Sequence, residues 1–232
     1  MTKTAVVIGA TGLVGSELLT ALLSCAEYSQ VVAITRRALP LSHPQLTNHV
    51  IDFEKLTQYR DFFKGDVFFS CLGTTLKQAG SVDAQRKVDF DYQFIAAQLA
   101  ACNGISHYCL VSSSGANANS NSAYLKMKGQ LEQQVVPLAF NKISIFQPSL
   151  LIGERDHFRL AEKIGSVILP LLTKIGFLKR YKPVTGKQVA LKMLAVSLEQ
   201  KEAQNIMCLM SYLSRFLLDI KKQLRLLFYV LN

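Results

Sequence analysis

Thr4-Ala5-Val6-Val7-Ile8-Gly9-Ala10-Thr11-Gly12-Leu13-Val14-Gly15-Ser16-Glu17-Leu18-Leu19-Thr20-Ala21-Leu22-Leu23 joins a β-branched apolar run, a glycine turn and a helix-like segment without a break. That order predicts the first β-α turn of a dinucleotide-binding fold. One glycine permits the tight turn, a second lets the backbone approach a pyrophosphate, and a third lets helix and strand pack closely. The helix N-terminus, with its unpaired N–H groups and dipole, then faces the phosphates. Three glycines alone are a weak signal; the strand before and the helix after supply the context the motif demands. The plainer alternative is an ordinary strand-to-helix turn.

Working outward, strand-like and helix-like segments alternate as far as residue 147. The run at 31–35 is a second strand ending in Arg36-Arg37. An NAD site places an acid about 20 residues beyond the glycine loop for the ribose 2′-hydroxyl, whereas an arginine suits a 2′-phosphate. Two arginines and no acid therefore predict NADP (NADPH), with NAD the lesser alternative, and a guanidinium fork matches phosphate geometry. The alternative is a pair of solvated loop cations. Residues 49–53 read as a short third strand, with Asp52 at its end placed to hydrogen-bond the adenine amino group. Residues 66–75 read as a fourth strand that ends in a glycine-containing turn at the ligand-binding edge of the sheet. A crossover helix is expected over 83–101, with Val88, Tyr92, Ile95, Ala96 and Leu99 on one face. Residues 105–111 form a fifth strand running into Ser112-Ser113-Ser114-Gly115, and residues 142–147 a sixth, closed by Pro148-Ser149.

The expected architecture is α/β, a Rossmann-type doubly wound parallel sheet with a small C-terminal α-helical extension. A chain of 232 residues suits one such domain over 1–232. Its parts are a dinucleotide-binding core at 1–149, a substrate-side cap at 150–210 and a basic amphipathic tail at 211–232. The candidate cofactor-binding set is Gly9, Thr11, Gly12, Leu13, Val14, Gly15, Arg36, Arg37, Asp52, Phe53, Cys71, Leu72, Gly73, Thr74, Pro148, Ser149 and Leu150.

Half of the residues are hydrophobic and 18% are charged, which provides a core and sets disorder aside. Cys25, Cys71, Cys102, Cys109 and Cys208 occur singly, without Cys-x-x-Cys spacing or a nearby histidine set. That pattern argues against a disulfide framework, a structural zinc or any other metal, and favours a reducing cytoplasm. No run reaches the roughly 18 to 20 apolar residues of a spanning helix, so a soluble protein is expected. The net charge of +10 is scattered outside the C-terminal region. It fits a basic surface on an enzyme with an anionic cofactor better than a nucleic-acid partner.

Tyr124-Leu125-Lys126-Met127-Lys128 places a phenol and an ammonium one helical turn apart. The spacing alone is poor evidence, but the pair lies just after the serine cluster that ends the fifth strand. With the glycine turn, Tyr124/Lys128 and Pro148-Ser149, the chain resembles the short-chain dehydrogenase/reductase superfamily. Leu110-Val111-Ser112-Ser113-Ser114-Gly115-Ala116 and Tyr124-Leu125-Lys126-Met127-Lys128-Gly129-Gln130-Leu131-Glu132 are similar to the atypical branch that includes the Tat-interacting oxidoreductase-like proteins, over residues 3 to about 195.

The resemblance implies carbonyl–alcohol interconversion with a nicotinamide and a small-molecule carbonyl substrate. Tyr124 would be the proton donor, and Lys128 would stabilise the phenolate and bind the nicotinamide ribose, so both also join the cofactor set. Ser113, or else Ser114, would polarise the carbonyl. Bland alternatives are a core tyrosine with a solvated lysine and a helix-capping serine cluster. The superfamily's usual relay asparagine is replaced by Asp89, and the loop before Tyr124 is short. A nucleotide-sensing regulatory or scaffold protein that binds NADP(H) without turnover is therefore the competing function. Superfamily members often form homo-oligomers.

Beyond Pro148, Phe158, Leu160, Ile164, Val167 and Ile168 could build a substrate lid or pack a core, and a helix is expected from Gly186. The tail from 211 to 232 reads as a docked terminal helix, as a basic amphipathic helix on an anionic membrane surface or partner helix, or as the product of an altered reading frame.

Overall fold

Ala5, Val6, Val7 and Ile8 are all completely buried, so consecutive side chains on opposite faces of one strand are covered alike. A strand of this kind belongs in the middle of a sheet with helices on both sides. The computed structural model describes residues 2–149, 151–152, 184–199 and 205–208. Its strands are β1 (Lys3–Ile8), β2 (Tyr28–Thr35), β3 (Leu46–Val50), β4 (Val67–Ser70), β5 (His107–Val111), β6 (Lys142–Gln147), β7 (Leu151–Ile152), β8 (Val184–Thr185) and β9 (Asn205–Cys208). Its helices are α1 (Leu13–Leu23), α2 (Leu76–Ala79), α3 (Val82–Arg86), α4 (Tyr92–Cys102), α5 (Ala123–Val135) and α6 (Gly186–Leu198). A 3-10 stretch covers Phe53–Phe62, and a π turn at Lys87–Asp91 joins α3 to α4.

Seven strands form one parallel sheet in the order β3-β2-β1-β4-β5-β6-β9, while β7 and β8 pair separately. The order reverses at β1 and β4, which makes their carboxyl ends the topological switch point where doubly wound sheets bind ligands. Ala5, Val7, Ala33 and Phe69 face a core that includes α1 and α6 residues such as Leu18, Leu22, Val189 and Met193. Val6, Ile8, Phe68 and Leu110 face the other core, with Ala96, Ala100, Leu131 and Val135 of α4 and α5. The architecture is thus the expected Rossmann-type one, with α6 as the helical extension.

Several boundaries differ from the sequence expectation. The third strand ends at Val50, because the Asp52 carboxylate accepts the Glu54 N–H (3.0 Å) and starts the 3-10 stretch. The single crossover helix is instead α3, a π turn and α4. Its buried positions are Gln85, Asp89, Gln93, Ala96, Ala97 and Ala100, while Val88, Tyr92, Ile95 and Leu99 are only half-buried. The seventh strand, β9, lies within the stretch assigned to the cap. Leu150, the apolar face at 158–168 and the tail at 211–232 lie outside the described residues.

At the amino ends of the strands, the buried Lys142 and the half-buried Lys3 close the C-terminus of α6. Lys142 Nζ donates to Val196 O and Glu199 O, both at 3.0 Å, and Lys3 Nζ to Ser197 O at 2.9 Å. Such pairing suits the negative end of the helix dipole. His107 lies beside them with Nε2 2.9 Å from Ser144 Oγ. Burial, and then the charges of Lys142 and Lys3, depress its pKa from 6.5 to about 3. The imidazole is therefore neutral in the folded state.

Because the folded-state pKa is depressed, the unfolded chain binds a proton that the fold refuses. Folding stability is expected to fall as pH drops from 6.5 towards 3, and His107→Asn is expected to flatten that slope. Urea unfolding of both proteins over this range measures it; equal slopes would remove His107 as the cause.

Candidate functional site

The turn after β1 is built on main-chain crowding. Gly9 has φ +78°, and a Cβ there would lie 2.5 Å from the Cys71 carbonyl carbon and oxygen. A Cβ at Gly15 would lie 2.1 Å from Gly9 O, so only glycine lets α1 seat against the turn. Gly12 is less crowded, its Cβ position 3.3 Å from Gly9 O. It caps α1 without any side-chain hydrogen bond, and the first helical turn carries no acid. The amides at the start of α1 thus present an unopposed positive end, as a phosphate site requires.

A cleft of about 540 Å³ opens at this switch point. Of the expected residues, Gly9, Thr11, Gly12, Arg36, Arg37, Phe53, Cys71, Leu72, Gly73 and Thr74 line it. Leu13, Val14, Gly15, Asp52, Pro148 and Ser149 do not, and neither do Ser113, Tyr124 and Lys128. Asp52 spends one carboxylate oxygen on the Glu54 N–H. The sequence reading missed Ala10, Thr35, Ala38, Gln78 and Val88 in the lining, although Thr35 and Ala38 directly flank the arginines. Both arginines are exposed, and neither has an ion-pair partner among the described residues. Burial pushes the Cys71 thiol up to about 12, so the cleft floor offers no thiolate nucleophile.

Tyr124 and Lys128 lie on α5, with Lys128 Nζ 6.0 Å from the Tyr124 ring centre. Tyr124 and Ser113 are half-buried. Lys128 is not a free ammonium: its Nζ is 3.0 Å from Asp89 Oδ1, and the two side chains are 3% and 0% exposed. Asp89 Oδ2 accepts the Thr74 N–H at 3.0 Å, and Gln85 Nε2 donates to Thr74 O at 3.2 Å. Gln93 Nε2 donates to Asp89 O at 3.0 Å, while its Oε1 accepts from Ser70 Oγ at 2.8 Å. The π turn brings Gln85, Asp89 and Gln93 to one inward face, tying the cleft wall at Cys71–Thr74 to α5. Their four-residue spacing is a helical period carried by polar residues, set beside the apolar one at Val88, Tyr92, Ile95 and Leu99.

A second tie involves Glu132, one turn beyond Lys128. Its carboxylate accepts Ser112 Oγ–H and is approached by Gln147 Nε2 at 3.0 and 3.1 Å. Burial raises its pKa against these donors. The ends of β5 and β6 are also joined through Ser112 N–H to Phe146 O (2.7 Å) and Ser114 N–H to Pro148 O (2.8 Å). Glu132 therefore fixes α5 to the strand ends that carry Ser113 and Pro148.

No family model matches the chain. Protein HTATIP2 of Rattus norvegicus is 40% identical over 164 residues, covering 69% of this chain and 67% of that protein. Protein FMP52, mitochondrial, of Candida glabrata is 33% identical over 216 residues, covering 86% and 87%. Among solved structures, MoeE5 in complex with UDP-glucose and NAD superposes with a TM-score of 0.68 at 15% identity, covering 88% of this chain and 75% of that one. The cytoplasmic location expected from composition is corrected by the relatives, since the FMP52 proteins are named mitochondrial. Unpaired cysteines separate reducing from oxidising compartments and do not tell one reducing compartment from another. Among the described residues no helix is long and apolar enough to cross a membrane.

Removing one partner of a buried ion pair strands the other charge, at a cost of about 3–5 kcal/mol. Asp89→Ala is expected to destabilise by that amount, and Asp89→Leu with Lys128→Met to recover most of it. Urea unfolding tests this; a loss below about 1 kcal/mol for Asp89→Ala would show that the pair does not hold α5 to the cleft wall.

Proposed function

The chain belongs to the atypical short-chain dehydrogenase/reductase branch that holds HTATIP2 and FMP52, and on that premise we propose that it is an NADP-dependent oxidoreductase that reduces a small carbonyl compound. The observation that carries the reading is the cleft itself. It joins the uncapped start of α1 and the glycine turn at one end to Arg36 and Arg37, both without ion-pair partners among the described residues, at the other. This arrangement fits a dinucleotide diphosphate and an adenosine 2′-phosphate. MoeE5, which shares the fold, is in complex with NAD.

A bound dihydronicotinamide supplies hydride donation to a carbonyl carbon. Tyr124 holds the proton that the carbonyl oxygen takes up, and Ser113 polarises that oxygen by donating its hydroxyl. Lys128 orients the ribose while Asp89 compensates its charge. Glu132 keeps α5 in register with the serine strand. The FMP52 relatives, which are named mitochondrial, support a mitochondrial location.

The second reading, a nucleotide-responsive binding protein without turnover, is favoured by one observation. The Lys128 ammonium is already engaged by Asp89 at 3.0 Å.

Fluorescence titration is expected to show NADPH bound more tightly than NADH, with Arg36→Ala/Arg37→Ala abolishing the difference. Equal affinities in the wild type would end the choice of NADP. In an NADPH-dependent assay across aldehydes, ketones and quinones, Tyr124→Phe is expected to lower kcat by roughly 10² to 10⁴. A loss below about tenfold would exclude this phenol as proton donor, and no turnover across the panel would favour the binding protein.

A further inference from the structure

Resting on the reading that Arg36 and Arg37 hold a 2′-phosphate, we propose that Asn48, a residue of β3 outside the cleft lining, is the positioning residue that sets the preference for NADPH over NADH. Asn48 lies opposite Ala33 in the β2–β3 ladder. Its Nδ2 donates to Ala33 O at 3.0 Å and to Thr35 Oγ1 at 2.8 Å. Its Oδ1 accepts the Leu39 N–H at 2.9 Å. Thr35, which is 4% exposed, passes its own hydroxyl proton to Arg37 O at 2.7 Å.

The direction of this chain is settled by its ends. A backbone N–H can only donate and a backbone C=O can only accept, so Leu39 and Ala33 together orient the amide. Both Asn48 N–H donors and its oxygen are then in use. The result is a side-chain staple across the segment from Thr35 to Leu39, gripping it at the Thr35 hydroxyl, through that hydroxyl at Arg37 O, and at the Leu39 amide. Ile51 N–H closes the near end on Thr35 O at 2.9 Å.

The two residues inside the staple that carry charge are Arg36 and Arg37. Their backbone is held, while their side chains line the cleft and make no ion pair among the described residues. A loop ordered before binding spares the ligand the entropic cost of ordering it. That saving reaches only a ligand that the loop contacts. NADPH has the 2′-phosphate and NADH lacks it, whereas the glycine turn and the wall at Cys71–Thr74 have no bond to Asn48. Loss of the staple should therefore weaken NADPH selectively.

The test is fluorescence titration of the full chain with NADPH and with NADH, using wild type, Asn48→Ala, Arg36→Ala/Arg37→Ala and the triple variant. Asn48→Ala is expected to weaken NADPH by about tenfold and NADH by less than about twofold. Because Asn48 acts through the arginines, adding Asn48→Ala to the arginine-free background should cost NADPH affinity nothing further. Should Asn48→Ala fail to fold by circular dichroism, Thr35→Val, which removes the relay hydroxyl while keeping the shape, is expected to shift selectivity the same way by about threefold.

The outcomes separate the two claims. If wild type does not prefer NADPH, or the arginine variant keeps that preference, the phosphate reading fails and this proposal with it. If the arginines matter but Asn48→Ala weakens both nucleotides alike, or adds a further loss in the arginine-free background, Asn48 is structural only and this proposal alone is overturned.

Discussion

Main chain touching main chain where β1 and β4 end is the constraint on which the site depends. A side chain begun at Gly9 would collide with the Cys71 peptide at 2.5 Å, and one begun at Gly15 would collide with Gly9 O at 2.1 Å. Neither neighbour is a flexible side-chain tip that could move aside cheaply. With glycine at both positions the turn sits against the strand end, and α1 starts close to the sheet beside the cleft that Gly9 to Gly12 line. The same crowding recurs where α6 begins, since a Cβ at Gly186 would lie 2.3 Å from Leu13 O. The helical extension is thereby seated on the start of α1.

Around that turn, polar side chains tie the cleft wall to α5 and α5 to the ends of β5 and β6. Asp89 links Thr74 of the cleft wall to Lys128 of α5, and Glu132 links α5 to the ends of β5 and β6. Asp89 is fully buried and Glu132 half-buried. Burial of that kind is stabilising only when the partners are in place, because each unpaired group would cost far more inside than at the surface. These two ties therefore act as spacers that hold Ser113, Tyr124 and Lys128 relative to the cleft. The π turn at Lys87–Asp91 belongs to the same device, since it carries the buried Asp89, whose backbone carbonyl accepts from Gln93 Nε2.

The two ends of the cleft are prepared differently. At the glycine-turn end, positive potential comes from backbone amides that cannot reorient. At the other end it comes from long, exposed guanidinium side chains on a loop whose backbone is stapled by Asn48 and Thr35. In the proposed reading, rigid amides suit the diphosphate common to both nicotinamide dinucleotides, and cations on a fixed loop suit the 2′-phosphate that tells them apart.

Much of this was legible in the residues taken alone. The β-branched runs at 4–8 and 142–147 and the glycine turn report on backbone torsion and local period, which depend on near neighbours, and they located the sheet; the glycine turn and the arginines after β2 also line the cleft. The relatives overruled the inference from lone cysteines to a cytoplasmic location, since composition carries no address. The partners of Asp89, Glu132 and Asn48 became known only from the fold, as did the seventh strand and the early end of β3. The early end of β3 comes from the local Asp52–Glu54 hydrogen bond, but the other features rest on contacts between groups far apart in the chain, such as Asn48 with Thr35 or Ser144 with Asn205. The partner of a buried polar residue cannot be read from the chain, because a polar residue looks the same in a string whether water or a distant side chain satisfies it.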